Sequence, residues 1–267
     1  RRGGSQPMEE RRDFAQRMAA GEPLLGVVLR STDPALAELV GLAGFDFGWI
    51  DLEHSPLALR DVQAAVTALE LRGCVPLVRV PSQDPNLIGQ VLDMGARIVD
   101  VPHVESREQA LAIVRAARFA PKGLRGFSST TRANRFGGET GSPENLERQN
   151  RSTLVMVQIE SRMGMERLEG IADVAGIDIL FLGTGDLGQD LGVPGQRSHP
   201  LIQEACRRFV ECALRAGKRA ALPIGTPAEL RERRKQGFSV FTCGVDLALL
   251  RTTLEALQAS FRPEMGR

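Results

Sequence analysis

A regular beat constrains this chain more than any other feature. A short apolar run is followed by a stretch with helical spacing, and the pair repeats eight times between Leu24 and Phe261. The apolar runs are LLGVVLR (24–30), FGWIDLEHS (47–55), VPLVRVPS (75–82), RIVDVPHV (97–104), VMVQIE (155–160), IDILFLG (177–183), RAALPIG (219–225) and FSVFTCG (238–244). Each is short and bounded by turn residues, as strands buried on both faces are. The stretches between them carry helix punctuation. Asp33-Pro34 and Asp84-Pro85 read as cap and first helical residue, Ser106 as a cap, and Gly73 as a stop. Strand followed by helix throughout means a parallel sheet. Eight units in 267 residues predict an α/β fold, a closed (β/α)8 TIM barrel rather than an open doubly wound sheet.

No Pro- or Ser-rich linker interrupts the beat. Residues 23–262 are read as one barrel domain, residues 1–22 as a tail with a short leading helix, and 263–267 as a tail. Two polar inserts, residues 121–150 and 188–200, are expected on the side where barrel enzymes carry their working loops. The last helix is long and apolar, with Leu247, Leu250, Leu254 and Leu257 along it. It either closes the barrel or packs on another subunit.

Charge and cysteines narrow the class of function. With 34 basic and 33 acidic residues, the chain has no electrostatic case for nucleic acid or an anionic membrane as partner. No apolar run approaches the ~20 residues that span a bilayer, and the first 18 residues lack the apolar core of a secretory signal. Cys74, Cys206, Cys212 and Cys243 have no metal-ligand spacing and read as reduced thiols of a cytoplasmic protein.

Barrel chemistry sits at the C-terminal ends of the strands. Strand 2 ends in Asp51, Glu53 and His54, and strand 3 in Arg79. Strand 5 gives Gln158 and Glu160, which alternation sends to one side, and strand 6 empties into a Gly-rich loop carrying Asp186. Two carboxylates on rigid elements suit a hard divalent cation. A histidine beside acids suits a base, and an arginine suits a developing oxyanion. Singly, each has a plain structural reading: Asp186 as a helix cap, His54 as a satisfied histidine, Arg79 as an ion pair with Asp51 or Glu53. For Glu160, ending an apolar strand, the cost of an unpaired carboxylate favours function. His103 ends strand 4 and is placed to reach the same cavity, whereas His199, before Pro200 at a helix start, reads as structural. Lys122, Lys218 and Lys235 all fall at loops or helix ends, which argues against a Schiff-base aldolase.

Several motifs then carry a resemblance. GFDFGWIDLEHSP, VPLVRVPSQDPNLIGQVLDMGA, LRGFSSTTRANRFG, VMVQIES and FLGTGDLGQDLGVPG follow one another as in the HpcH/HpaI aldolases, a family of metal-dependent class II pyruvate aldolases. The likeness runs from about Leu24 to Leu257. It implies that Glu160 and Asp186 hold a divalent metal (Mg2+, Mn2+ or Co2+), that Arg79 stabilises a pyruvate enolate, and that His54 is the catalytic base with Asp51 as its acidic partner. It further implies that Gln158 lies beside the substrate 2-oxo group and that the amides of Gly185 and Asp186 hold the substrate carboxylate. Asp93 would approach a neighbouring subunit's site in a hexamer, a trimer of dimers that exchange the eighth helix. It also implies a small 2-oxo acid as substrate.

The chain also departs from the family pattern. Its metal loop reads Gly183-Thr184-Gly185-Asp186-Leu187-Gly188 without the usual proline, strand 4 ends in Pro102-His103, and Ser128, Ser129, Thr130 and Thr131 replace small apolar residues. Two rivals follow. One is another lyase on the same platform, a 2-oxo acid decarboxylase or an acyl-CoA lyase using Arg118, Lys122, Arg125, Arg132 and Arg135 as a basic groove. The other is a barrel that binds metal and oxo acid without turnover.

Overall fold

The computed structural model describes residues 14–265. Eight parallel strands close into a barrel in chain order: β1 Leu24–Leu29, β2 Phe47–Asp51, β3 Val75–Arg79, β4 Ile98–Val101, β5 Leu154–Ile159, β6 Ile179–Leu182, β7 Arg219–Ile224 and β8 Val240–Val245. The helices are α1 Phe14–Ala19, α2 Pro34–Leu42, α3 Leu59–Leu71, α4 Pro85–Asp93, α5 Arg107–Ala117, α6 Pro143–Ser152, α7 Arg162–Glu166, α8 Leu168–Ala172, α9 Thr184–Asp190, α10 Pro200–Arg215, α11 Pro227–Gln236 and α12 Asp246–Phe261. The helix starts follow the expected chemistry. Asp33 accepts from the Ala35 amide, Asp84 from Asn86, and Ser106 from Gln109. Gly73, at φ +66°, ends α3 in the left-handed conformation that glycine adopts without strain.

Strand alternation sorts the core into two layers. One set, including Val78, Val99, Val157 and Leu180, packs outward against the helices. The other, including Phe47, Leu77, Ile98, Met156 and Ile179, fills the barrel, with Phe14 and Met18 of α1 packed against it at the N-terminal end. Fit inside is tight. A Cβ at Gly26 would lie 2.3 Å from the Phe47 ring, so a bare backbone on β1 makes room for that ring.

Three expectations change. The first insert is not a working loop: it joins α5 to β5, holds α6, and lies against the strand starts, where Glu144, Arg148 and Arg151 share a cavity wall with Val75, Arg97 and Leu154. Ser142-Pro143 is a cap followed by a first helical residue that this insert contains and the regular beat concealed. The Gly-rich loop after β6 is the first turn of α9. The helix expected after Glu160 is divided at Arg167 into α7 and α8, although Met165, Leu168, Ile171 and Ala172 are all buried on one face as the spacing required.

The last helix does not close its own barrel. Within α12 Asp246 alone is buried, and every residue from Leu247 to Met265 is exposed. No described helix is long and apolar enough to cross a membrane. Of the tail and leading helix assigned to residues 1–22, residues 1–13 lie outside the described residues, as do 266–267 of the tail assigned to 263–267.

Candidate active site

Continuing the interior parity of Phe47, Leu77, Ile98 and Met156 toward the strand ends gives Asp51, Arg79, Asp100, Gln158 and Glu160, all buried. The apolar filling thus ends in a polar floor at the C-terminal mouth. Beneath it Trp49 and Phe181 meet edge to face at 4.8 Å, with the Arg79 guanidinium 5.6 Å above the Trp49 ring.

Asp51 is the hub of this floor. It takes Arg79 through two parallel bonds, Nε to Oδ1 at 2.9 Å and Nη2 to Oδ2 at 2.7 Å. Arg30, at the end of β1, donates from Nε to the same Oδ2 at 2.9 Å. The amides of Glu53 and His54 donate to Oδ1. Burial would raise the Asp51 carboxyl, but the Arg79 hydrogen bonds and charge, the His54 amide and Arg30 outweigh it and hold it below the usual carboxylate value. Arg79 moves the opposite way: burial would lower it, and Asp51, Asp100 and Glu53 raise it. Its remaining Nη1 lies 2.9 Å from Glu53 Oε2.

With Asp51 so occupied, the expected pairing of the His54 ring with Asp51 is not formed. Only the His54 backbone reaches Asp51. The half-exposed ring has its Nε2 3.7 Å from Glu53 Oε2, so Glu53 is the nearer carboxylate.

A second histidine is more tightly set. His103 has a left-handed backbone, φ +55°, which a side-chain-bearing residue adopts at a cost and keeps only where contacts fix it. Its amide donates to Glu160 Oε1 at 2.8 Å, Nδ1 is 3.1 Å from that oxygen, and Nε2 is 3.0 Å from Glu53 Oε1. The imidazole bridges two acids from strands 2 and 5.

Glu160 sits one residue past β5, its carboxyl raised by burial and by the charges of Glu53 and Asp186, against the lowering effect of His103. A Cβ at Gly183 would come 2.6 Å from both Cβ and Oε2 of Glu160, so the absent side chain there is what gives the carboxylate its place. Asp186 is exposed in the first turn of α9 and accepts from Gln189 Nε2 at 3.1 Å. Glu160 and Asp186 feel each other's charge, and no described group of three His, Cys, Asp or Glu side chains is arranged to hold a metal. Two oxygen donors in a region of excess negative charge fit a hard cation that keeps several of its waters. They do not fit a closed structural site.

The other expected residues are placed as follows. His199 caps α10, its Nδ1 accepting from the Leu201 amide at 3.2 Å, a structural role. Asp93 is paired with Arg125 Nη2 at 2.6 Å. Each member of the basic run has an acidic partner. Arg118 is buried and holds the carbonyls of Asn150, Thr153 and Gly176 together with Asp178. Lys122 pairs with Glu147, Arg132 with Glu70, and Arg135 with Glu139 at 3.6 Å. Arg125, Arg132 and Arg135 line one polar cavity with Arg97 and Arg148, but it lies beside Thr153 at the strand starts, away from the polar floor.

Asp100 and Arg30 were not singled out from the sequence. The signal for Asp100 was there: one acid inside the buried run IVDV, at the same parity as Ile98.

Known proteins resemble this chain along most of its length. The model of the HpcH/HpaI aldolase/citrate lyase family matches residues 24–253, which takes in all eight strands. This chain belongs to that family. The 4-hydroxy-2-oxovalerate aldolase of Rhodococcus jostii (strain RHA1) is 39% identical to this HpcH/HpaI member over 251 residues, covering 93% of this chain and 95% of that protein. The 5-keto-4-deoxy-D-glucarate aldolase of Escherichia fergusonii is 34% identical over 249 residues, 93% of this chain and 96% of that one. The crystal structure of the citrate synthase SbnG superposes with a TM-score of 0.87 at 27% identity, over 96% of this chain and 99% of its own. Aldolase relatives at such identity along nearly the whole chain make this HpcH/HpaI member an aldehyde-lyase.

Proposed function

We propose that the chain is a divalent-metal-dependent class II aldolase that cleaves a 4-hydroxy-2-oxo acid to pyruvate and an aldehyde, and runs the aldol addition in reverse. The observation that carries this reading is the charge coupling of Glu160 with Asp186 on a floor where Arg79, locked in place by Asp51, is linked to Glu160 through Glu53 and His103. Glu160 and Asp186 would hold Mg2+, Mn2+ or Co2+, which when bound supplies Lewis-acid polarisation of the 2-oxo group.

The chain's own groups divide the remaining work. Amides of Gly185 and Asp186, in the first turn of α9 where helix N–H groups lack intrahelical partners, bind the substrate carboxylate. His54, turned by Glu53, takes the proton from the 4-hydroxyl. The bond between carbons 3 and 4 then breaks, its electron pair moves toward the 2-oxo oxygen, and the aldehyde leaves. Arg79 and Gln158 stabilise the enolate charge, and protonation at carbon 3 gives pyruvate. The apolar, water-facing side of α12 (Leu247, Leu250, Leu254, Leu257) supports an assembly in which it covers a partner. We assign a hexamer, a trimer of dimers exchanging α12, in which Asp93 approaches the next subunit's site, and a cytoplasmic setting.

The test is pyruvate release from 4-hydroxy-2-oxo acids with Mg2+, Mn2+ or Co2+, then with EDTA, alongside Arg79→Ala. Turnover abolished by EDTA and by the substitution supports the reading, and turnover indifferent to EDTA overturns the metal assignment. Activity on oxaloacetate or acyl-CoA thioesters alone would move the chain to the citrate-synthase or citrate-lyase side of its family.

A further inference from the structure

Among the described residues, three buried acceptors of the barrel floor have no hydrogen bond: Glu53 Oε2, which is ion-paired with Arg79, and Asp100 Oδ1 and Gln158 Oε1, which have no ion pair either. The last two belong to a pair already in contact, since Asp100 Oδ2 and the Gln158 amide end built as Nε2 are 2.5 Å apart. Which end of an amide faces a partner is decided by the hydrogen bonds each end can make. Placing a proton on Asp100 and turning the Gln158 amide over makes this contact an O–H···O bond from a neutral acid, in place of a buried carboxylate that has no ion-pair partner. It also frees an NH2 group on the far side.

The charges around Asp100 agree. Its nearest cation is Arg79 on the adjacent strand, paired with Asp51 and Glu53 and so already balanced. Arg30 is likewise held by Asp51. Complete burial raises its carboxyl far above the ordinary value, and Glu160 and Glu53 add to this by repelling a negative charge, against the lowering effects of the Arg79 charge and the Gln158 hydrogen bond. No described cation lies within ion-pair distance of Asp100.

We propose that Asp100 is a positioning residue: its carboxylic acid donates a hydrogen bond to Gln158 Oε1 and so turns the Gln158 NH2 group toward the 2-oxo oxygen of the substrate. This rests on the aldolase reading for the identity of that oxygen, but not for the proton on Asp100. Gln158 is thereby a donor where charge develops on the enolate. Left to accept rather than donate, it would oppose that charge.

The experiment uses the full-length protein in two arms. The first is the infrared spectrum at neutral pH, in which wild type shows the carbonyl stretch of a buried carboxylic acid and Asp100→Asn lacks it. The second is deuterium exchange at the methyl group of pyruvate, which isolates enolate formation. Asp100→Asn keeps an N–H donor for Gln158 and is expected within about threefold of wild type. Asp100→Leu removes the donor and is expected about 10–100-fold lower in kcat with KM little changed, as for a contact made only to developing charge. Absence of the acid band, or an Asn variant as slow as the Leu variant, overturns the neutral acid. A Leu variant as fast as wild type overturns the positioning role. Wild type that neither exchanges pyruvate nor cleaves oxo acids refutes the aldolase reading and with it the substrate half of the proposal, while the infrared band still decides the proton.

Discussion

Below Trp49 and Phe181 the barrel interior is filled by side chains such as Phe47, Leu77, Ile98 and Met156, whereas above them the interior positions of β2 to β5 carry Asp51, Arg79, Asp100 and Gln158, with Glu160 just beyond. The same strands and the same alternation build both halves, but different forces hold them. The lower half is stabilised by apolar burial and close packing. The upper half gathers acids from several strands around two arginines, and burial raises two of those acids, Asp100 and Glu160. Such a floor is maintained by the rigidity of what lies beneath it, the usual relation between a reactive site and its scaffold. Substitutions above the divide should therefore cost activity, and those below it should cost stability.

The largest effect is expected at Glu160. Glu160→Ala should lower pyruvate release by about 10³-fold or more, while the thermal midpoint stays or rises because a buried carboxylate facing Glu53 and Asp186 is gone. A large drop in melting temperature would blur the division. Phe47→Ala is the counterpart below. Its denaturant midpoint should report a loss of about 3–5 kcal/mol, with the KM of the folded enzyme unchanged. Gly183→Ala crosses the divide, since the added Cβ displaces Glu160. About 10–100-fold in turnover and about 1–3 kcal/mol in stability should be lost together.

The smallest effects concern pH and separate two acids of the same floor. Asp51 titrates below its unfolded value of about 4, so its ionised form stabilises the fold above that pH, and the contribution is lost as pH falls through the folded value. Asp100 titrates above its unfolded value, so the folded barrel loses stability as pH rises past about 4. In urea titrations at pH 7, Asp51→Asn should be less stable than wild type and Asp100→Asn more stable. Both differences should shrink below about pH 4.

Much of this was legible in the residues. Eight apolar runs, three capped helices and the interior parity of Gln158 and Glu160 follow from local spacing, and the structure keeps them. What spacing does not carry is which strand ends touch. The Arg79–Asp51 ion pair was among the plain structural readings, but that Arg30 would join it and leave the His54 ring without Asp51 depends on the register of β1 and β3 against β2. That His103 would bridge Glu53 and Glu160 depends on a left-handed backbone which no side-chain pattern announces. Asp100 was missed for a different reason: a buried strand hides one acid among valines, and its environment exists only once β3 and β5 flank it.

Asp246, the one buried residue of α12, binds with its carboxylate the backbone amides of Arg30 and Ser31, where β1 ends. Arg30 in turn grips Asp51, and Asp51 grips Arg79. The leucine-lined helix is thus a handle whose shaft runs through three side chains to the reaction floor. In the proposed assembly, a partner copy holding that handle would reach the floor through it, and dilution is expected to lower turnover before it unfolds the barrel.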